Sequence, residues 1–249
     1  MLFSPLEQFQ ILRVFSLHLF NFDFSITNSI LFLGFIFVFF FTLMSLYNLY
    51  FFFIPMPWQC LFEQFFFFIK EEVILANIGR QNFMYIYFFV YLFLFILFAN
   101  LFGMVPYSFA LTSHIVITFS LSLIFFIYIN VLGIKKHGFE MFGLFLPSGT
   151  PFFISPLLVL IEFISYIARV FSLAIRLFAN IMSGHTLLHI LASFGWLLLI
   201  GGGIWSLIFI FPTVIVFLVT FLETAIGFLQ AYVFTVLCCN YLKDALYLH

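Results

Sequence analysis

Residues 157–194 read LLVLIEFISYIARVFSLAIRLFANIMSGHTLLHILASF, apolar at most positions yet carrying Glu162, Arg169 and Arg176 with no proline between them. A guanidinium at bilayer depth costs at least about 2.5–3.5 kcal/mol on insertion scales. It cannot escape by losing its proton, because an arginine pKa stays above about 12 in proteins. The rest of the chain leaves no aqueous home for this stretch: 66% of the 249 residues are hydrophobic and only 7% are charged. With a mean hydropathy of +1.29 and apolar runs far longer than a soluble helix needs, the chain reads as an all-α, polytopic membrane protein. A charge kept inside such a chain is there to be used.

Other compositional features say less. The 46 Phe exceed any packing requirement, and codon bias in an AT-rich genome is the simpler reading. The net charge of −1 carries little information, because position outweighs the sum in a membrane. Cys60, Cys238 and Cys239 fit neither a disulfide ladder nor a zinc pattern and read as small apolar residues. The opening residues show no basic n-region followed by an apolar run, so insertion without a cleaved address is expected.

Charges and prolines divide the chain. Residues 1–27 form a lead-in punctuated by Glu7, Arg13 and Asp23, expected to be partly helical. Residues 28–53 are uncharged and long enough to span, with Pro55 and Pro57 ending the helix. Residues 58–80 mix Phe with Glu63, Lys70, Glu71, Glu72 and Arg80, which predicts an interfacial amphipathic helix. Residues 83–134 predict a transmembrane hairpin, with spans at 83–105 and 114–134 closed by Gly103 with Pro106 and by Gly133 followed by Lys135-Lys136-His137. Lys70, Arg80, Lys135 and Lys136 fall on one side, which the positive-inside rule makes the inner one.

The last segment, 152–249, differs in scale. Helical patterns over 157–194 and 204–245 are joined at Gly195 and Gly201 to Gly203. At 1.5 Å per residue each would run roughly 60 Å, about twice the hydrocarbon thickness. Ordinary tilt does not absorb that. Polar residues are spread along both helices, which favours a long, steeply inclined hairpin within the membrane over two broken spans.

Two polar seams run along this hairpin. Glu162, Arg169, Arg176 and Ser183 recur every seven residues and so share one helix face. Ser165, Ser172 and Asn180 flank that stripe. On the second helix Glu223, Gln230 and Asp244 fall on the same seven-residue spacing, with Leu237 filling the gap between the last two. The serines and Asn180 could serve as helix glue, whereas ionisable groups at depth default to transport or relay. His185, nine residues after Arg176, is rotated to the opposite side and should face the second helix, where Glu223 could meet it. Such a pair is a plausible proton relay. His189, one turn further, either extends the relay or is structural. His114 is expected at the outer end of its span, and His137 beside two lysines is expected to be solvated. Along the helix Glu162 stands roughly 21 Å from Arg176 on one side and His185 roughly 13 Å on the other. A fixed positive charge between two acidic half-paths is not a pore; it calls for a moving carrier.

The block Ser172-Leu-Ala-Ile-Arg176-Leu-Phe-Ala-Asn180-Ile-Met-Ser-Gly184-His185 resembles the signature of subunit a of the F-type ATP synthase. Further segments resemble its mitochondrial form: Asn100 to Phe109, Thr112-Ser-His114, Pro147 to Pro151, Glu162 to Arg169, Glu223 to Tyr232, and Tyr241 to Ala245. The bacterial form typically has Glu where this chain has His185, and His where it has Glu223. That swap favours an organellar protein and implies that the two positions work together. The resemblance implies a pair of long inclined helices curved against a rotor ring of c subunits, with Arg176 facing the ring's carboxylates. It implies His185 and Glu223 in the outer half-channel, and Glu162 and Asp244 in the matrix half-channel. Asn180 and Gln230 would be polar neighbours of the arginine, and Arg169 would support it.

The expected function is that of a stator subunit whose two offset half-channels load and unload the rotor carboxylates, coupling proton flow to ATP synthesis. The expected partners are the c ring, peripheral-stalk and other membrane-sector subunits, lipid and a possible second ATP synthase in a dimer. The expected location is the mitochondrial inner membrane. No cofactor, metal or nucleic acid is expected, and no Gly-rich phosphate loop or nucleophile–base set suggests an enzyme with its own nucleotide site. The alternatives are a structural subunit of a respiratory complex and a stand-alone proton transporter. The latter is disfavoured by the lack of inverted repeats with paired broken helices.

Overall fold

A computed structural model describes residues 7–16, 18–19, 22–23, 25–49, 57–76, 79, 84–105, 108–138, 141, 143, 154–203 and 208–247. The prolines expected to end helices at Pro55 and Pro106, the 147–151 segment, Arg80 and His249 lie outside these residues. The helices are α1 (Asn28–Leu49), α2 (Pro57–Phe68), α3 (Met84–Gly103), α4 (Ile115–His137), α5 (Ser155–Ile200) and α6 (Ile210–Leu246). Among the described residues four stretches are long and apolar enough to cross a membrane: Tyr85–Gly103, Ile115–His137, Ser155–Ile200 and Ile210–Leu246. The all-α membrane architecture expected from the sequence is the one observed.

Among its described residues the lead-in holds a 3-10 turn at Glu7–Phe9 and two small antiparallel pairs, Arg13–Phe15 with Ile26–Thr27 and His18–Leu19 with Phe22–Asp23. Asn28 explains how this segment meets α1. Its Oδ1 accepts the backbone N–H groups of Ser29 (2.9 Å) and Leu12 (3.3 Å), and its Nδ2 donates to the Gln10 carbonyl at 3.1 Å. A side-chain amide thereby satisfies backbone groups that a helix start leaves open.

Inside the helices, hydroxyls turn back on their own backbone. Thr42, Ser120, Ser122, Thr186, Ser193, Thr213, Thr220 and Thr224 each donate to a carbonyl three or four residues earlier. In hydrocarbon no water would satisfy them, so this local bond is what lets them sit in a span.

Two of the glycines expected at helix ends lie inside helices. Gly133 lies within α4, which ends at the expected Lys135-Lys136-His137 run, cations favoured in a last turn by the helix dipole. Gly195 lies within α5, and a Cβ there would make only ordinary contact with the Phe209 ring at 3.5 Å. One glycine inside a long helix costs about 1 kcal/mol, too little to stop it. The real turn comes at Gly201 to Gly203. Gly202 and Gly203 take φ of 65° and 61°, the left-handed region that L side chains avoid.

Chain contacts resolve two compact units, each assembled from three separated stretches. The first comprises Met1–Phe51, Phe95–His114 and Leu177–Ala231. Its core is Ile36, Ile96, Leu97, Leu111, Leu177 and Ile181, with Phe39 edge-on to Phe98 and Phe102 at 5.4 and 4.9 Å. The second comprises Phe52–Leu94, Ile115–Arg176 and Tyr232–His249. There Phe89, Phe93, Phe234 and Leu242 are fully buried, and Phe88 packs on Phe125 and Tyr128. In this second unit α2 passes into a π-helical segment, Ile69–Leu75, that buries Ile69, Val73 and Ile74 while Glu71 and Glu72 stay exposed. Lys136 Nζ and His137 Nε2 both reach the Leu246 carbonyl at 2.9 Å, covering an open end of α6. His137 is therefore engaged with the backbone rather than merely solvated.

Candidate functional site

The first unit gathers polar groups that an apolar chain should not bury. Asn180 Nδ2 donates to Gln230 Oε1 at 2.9 Å, and His185 Nε2 lies 3.8 Å from Glu223 Oε1. The next contact along α5 thus meets an earlier turn of α6, as antiparallel helices require. The Glu223 side chain is 3% exposed and that of His185 16%. The separation is too long for a hydrogen bond. His185 Nε2 and both Glu223 oxygens have no hydrogen-bond partner among the described residues. Buried carboxylates are ordinarily satisfied, so an unsatisfied one marks a place for water or a transferable proton.

Neighbouring residues shape this pocket. Gly184 is half-buried against Glu223, and a Cβ on it would lie 2.9 Å from Glu223 Cγ and closer still to the carboxyl group. Asn100, fully buried, donates from Nδ2 to the Gly227 carbonyl at 3.0 Å, and among the described residues neither its Oδ1 nor the Oγ1 of Thr112 has a hydrogen-bond partner. His114 stacks on Phe109 at 4.9 Å just before α4, where burial holds its imidazole below the usual range. His189 is half-buried and makes no hydrogen bond or ion pair with a described residue.

The second unit holds a cavity of about 300 Å³. Its polar wall is Glu162, Tyr166, Arg169, Tyr241 and Asp244; Ser122, Phe125 and Cys238 lie among the rest. Arg169 Nη1 donates to Asp244 Oδ2 at 3.4 Å, and its guanidinium lies 5.7 Å from the Tyr166 ring centre and 5.1 Å from that of Tyr241. Tyr166 donates its hydroxyl proton to Asn130 Oδ1 at 2.6 Å. Glu162 has no hydrogen-bond or ion-pair partner among the described residues. Arg176 donates to Ser172 Oγ at 3.2 Å, and no carboxylate among the described residues lies within ion-pair distance of it. Ser183, the last member of its stripe, donates back to the Asn180 carbonyl at 3.2 Å.

Asn180 and Gln230, expected as neighbours of the arginine, bond to each other. Asp244, expected to act alongside Glu162, lines the same cavity and is paired with Arg169. Sequence reasoning gave no role to Tyr166, Tyr241, Asn130 or Gly184. Asn100 and Asn130, lone amides within apolar runs, were the signal available. Among the described residues no group of His, Cys, Asp and Glu could hold a metal ion.

Long apolar helices with ionisable side chains buried along them define an ion-translocating, polytopic membrane subunit. The comparisons place it more narrowly: residues 26–243 match the model of the ATP synthase A chain, and the chain belongs to that family. A protein of Chondrus crispus named ATP synthase subunit a is 47% identical over 248 residues, covering 99% of this chain and 97% of that one. The protein of that name from Marchantia polymorpha is 44% identical over 256 residues, covering 99% of each chain. That from Emericella nidulans is 43% identical over 251 residues, covering 99% and 97%. The chain is accordingly a membrane-sector subunit of ATP synthase, engaged in proton transport and ATP synthesis.

Proposed function

We propose that this chain forms two offset proton half-paths that load and unload the carboxylates of a rotating ring of c subunits. The observation that carries the reading is the segregation of acidic groups. His185 and Glu223 sit unsatisfied in one unit, and Glu162 and Asp244 line a cavity in the other. Arg176, with no carboxylate partner among the described residues, falls between them in sequence on α5.

A proton entering from the outer side passes His185 and Glu223 and neutralises a rotor carboxylate. The neutral acid faces lipid at far lower cost than its anion. After most of a turn it reaches the matrix half-path and releases its proton into the cavity that Glu162 and Asp244 line. Arg176 favours the ionised carboxylate as it passes and blocks direct leakage between the half-paths. Each proton crossing supplies about 2.3 kcal/mol per 100 mV, before any pH gradient. Asn180 with Gln230 forms a polar wall, His189 extends the outer path, and Arg169 supports the inner one.

In this reading α5, roughly 69 Å long at 1.5 Å per residue, lies steeply inclined in the mitochondrial inner membrane, since that length exceeds a perpendicular span. The α2 segment lies at the interface. The chain has no nucleotide site of its own, and its partners are the c ring, peripheral-stalk and other membrane-sector subunits, lipid and a second synthase in a dimer. Arg176→Ala tests the proposal: ATP-driven proton pumping is lost while the complex assembles. Loss of assembly with intact coupling in the remainder would favour a structural subunit. Proton conduction by the isolated chain at a transporter's rate would favour a stand-alone carrier.

A further inference from the structure

We infer that the two carboxylates of the inner cavity divide their labour: Asp244 is a fixed counter-ion that positions Arg169, and Glu162 alone exchanges protons there. This deepens the half-path reading above and rests on it.

The geometry separates the two acids. Asp244 is engaged by a guanidinium that is itself held on two aromatic faces. Both ring centres lie within the range in which a cation is attracted to a ring face. The Tyr166 ring cannot swing freely, because its hydroxyl is tied to Asn130 Oδ1 at 2.6 Å. Asn130 cannot turn either: its Nδ2 donates to the Phe126 carbonyl at 2.9 Å, so the amide is anchored at both ends. The chain of contacts therefore runs from the α4 backbone through Asn130 and Tyr166 to Arg169 and ends on Asp244. An anion held by a placed arginine keeps its charge as protons pass. Glu162 lines the same cavity with no such partner among the described residues, and it is the group free to gain and lose a proton. Tyr166 and Asn130 are positioning residues in this scheme.

The test uses the assembled ATP synthase in vesicles, with intact complex quantified first and ATP-driven proton pumping measured per complex. Asp244→Asn alone strands a positive Arg169 beside Glu162 and should lower pumping at least tenfold. Arg169→Gln combined with Asp244→Asn removes both charges and should recover the rate to within about threefold of wild type, since the pair matters only as a pair. Tyr166→Phe removes one oxygen and keeps the ring. It should slow pumping two- to fivefold, and add no further loss in an Arg169→Gln background. It also serves where the charge variants fail to assemble.

A double variant as impaired as Asp244→Asn, in intact complex, would overturn the proposal by making Asp244 itself a proton carrier. So would a Tyr166→Phe loss that is undiminished in the Arg169→Gln background. Glu162→Gln tells the two levels apart. If it pumps at the wild-type rate, the inner half-path reading fails as a whole. If it is dead while the double variant fails to recover, only the division of labour fails.

Discussion

The carboxyl group of Glu223 lies over the bare α-carbon of Gly184, one residue before His185, and a Cβ there would force the Glu223 side chain to move. Gly184→Ala would push a methyl group into the Glu223 side chain at its Cγ and beyond. Overpacking of this kind typically costs about 1–3 kcal/mol, and here the strain falls on a nearly inaccessible carboxylate. The variant should assemble in reduced amount and pump protons at least tenfold more slowly per complex. Wild-type pumping per complex would show that Glu223 can retreat without consequence.

His185 and Glu223 should behave as a unit, because their facing atoms are 3.8 Å apart and have no other partner among the described residues. Either His185→Ala or Glu223→Gln should cut ATP-driven pumping by an order of magnitude or more. Exchanging them, His185→Glu with Glu223→His, retains one imidazole and one carboxyl across the same gap. The exchanged chain should outperform both single variants in vesicle assays, and a rate below both would argue against a shared relay.

Removing one half of the Asn180–Gln230 bond leaves the other without its partner. Gln230 is 5% exposed and accepts at 2.9 Å from Asn180, which is half-buried. Gln230→Leu should cost about 1 kcal/mol, the low end of the penalty for an orphaned buried donor, because Asn180 is only half-buried. Thermal inactivation of the purified complex would reveal it as a lowered midpoint. Asn180→Leu added to it should recover part of the loss, because the orphan is gone.

His114 gives a pH dependence whose sign follows from its burial. Its folded pKa is below the ordinary 6.5, so the unfolded chain takes up the proton first as pH falls. Stability is complete above that value and declines as the pH drops below it. Amide exchange in the 108–114 segment should accelerate on acidification below about 6.5, the unperturbed histidine pKa. His114→Gln should flatten that dependence, and an unchanged profile would assign it to another group.

Some of these relationships were visible before any coordinates. His185 is nine residues past Arg176, which turns it off the arginine's stripe, and the structure has it facing Glu223. The long helices were legible too, because an apolar run without proline has few alternatives in a membrane. Helix α4 ends at the expected Lys135-Lys136-His137 run rather than at Gly133, and α5 runs past Gly195, for a shared reason. A glycine weakens a helix locally, but neighbouring residues decide whether the chain turns; Gly202 and Gly203 adopt positive φ where the chain leaves α5.

The sequence by itself determined the class of the molecule, the family and the two acidic seams. Composition excludes an aqueous core, and the 3.6-residue period assigns each polar residue to a face. It could not say which residue each one meets. Asp244 with Arg169, Asn180 with Gln230, Tyr166 with Asn130 and Glu223 against Gly184 were decided by tertiary packing. Partner choice across antiparallel helices depends on their axial register and rotation. A shift of one residue, about 1.5 Å of rise and 100° of turn, would exchange every one of those pairs. That register is set by the buried apolar side chains of each unit acting together, and no single motif encodes it.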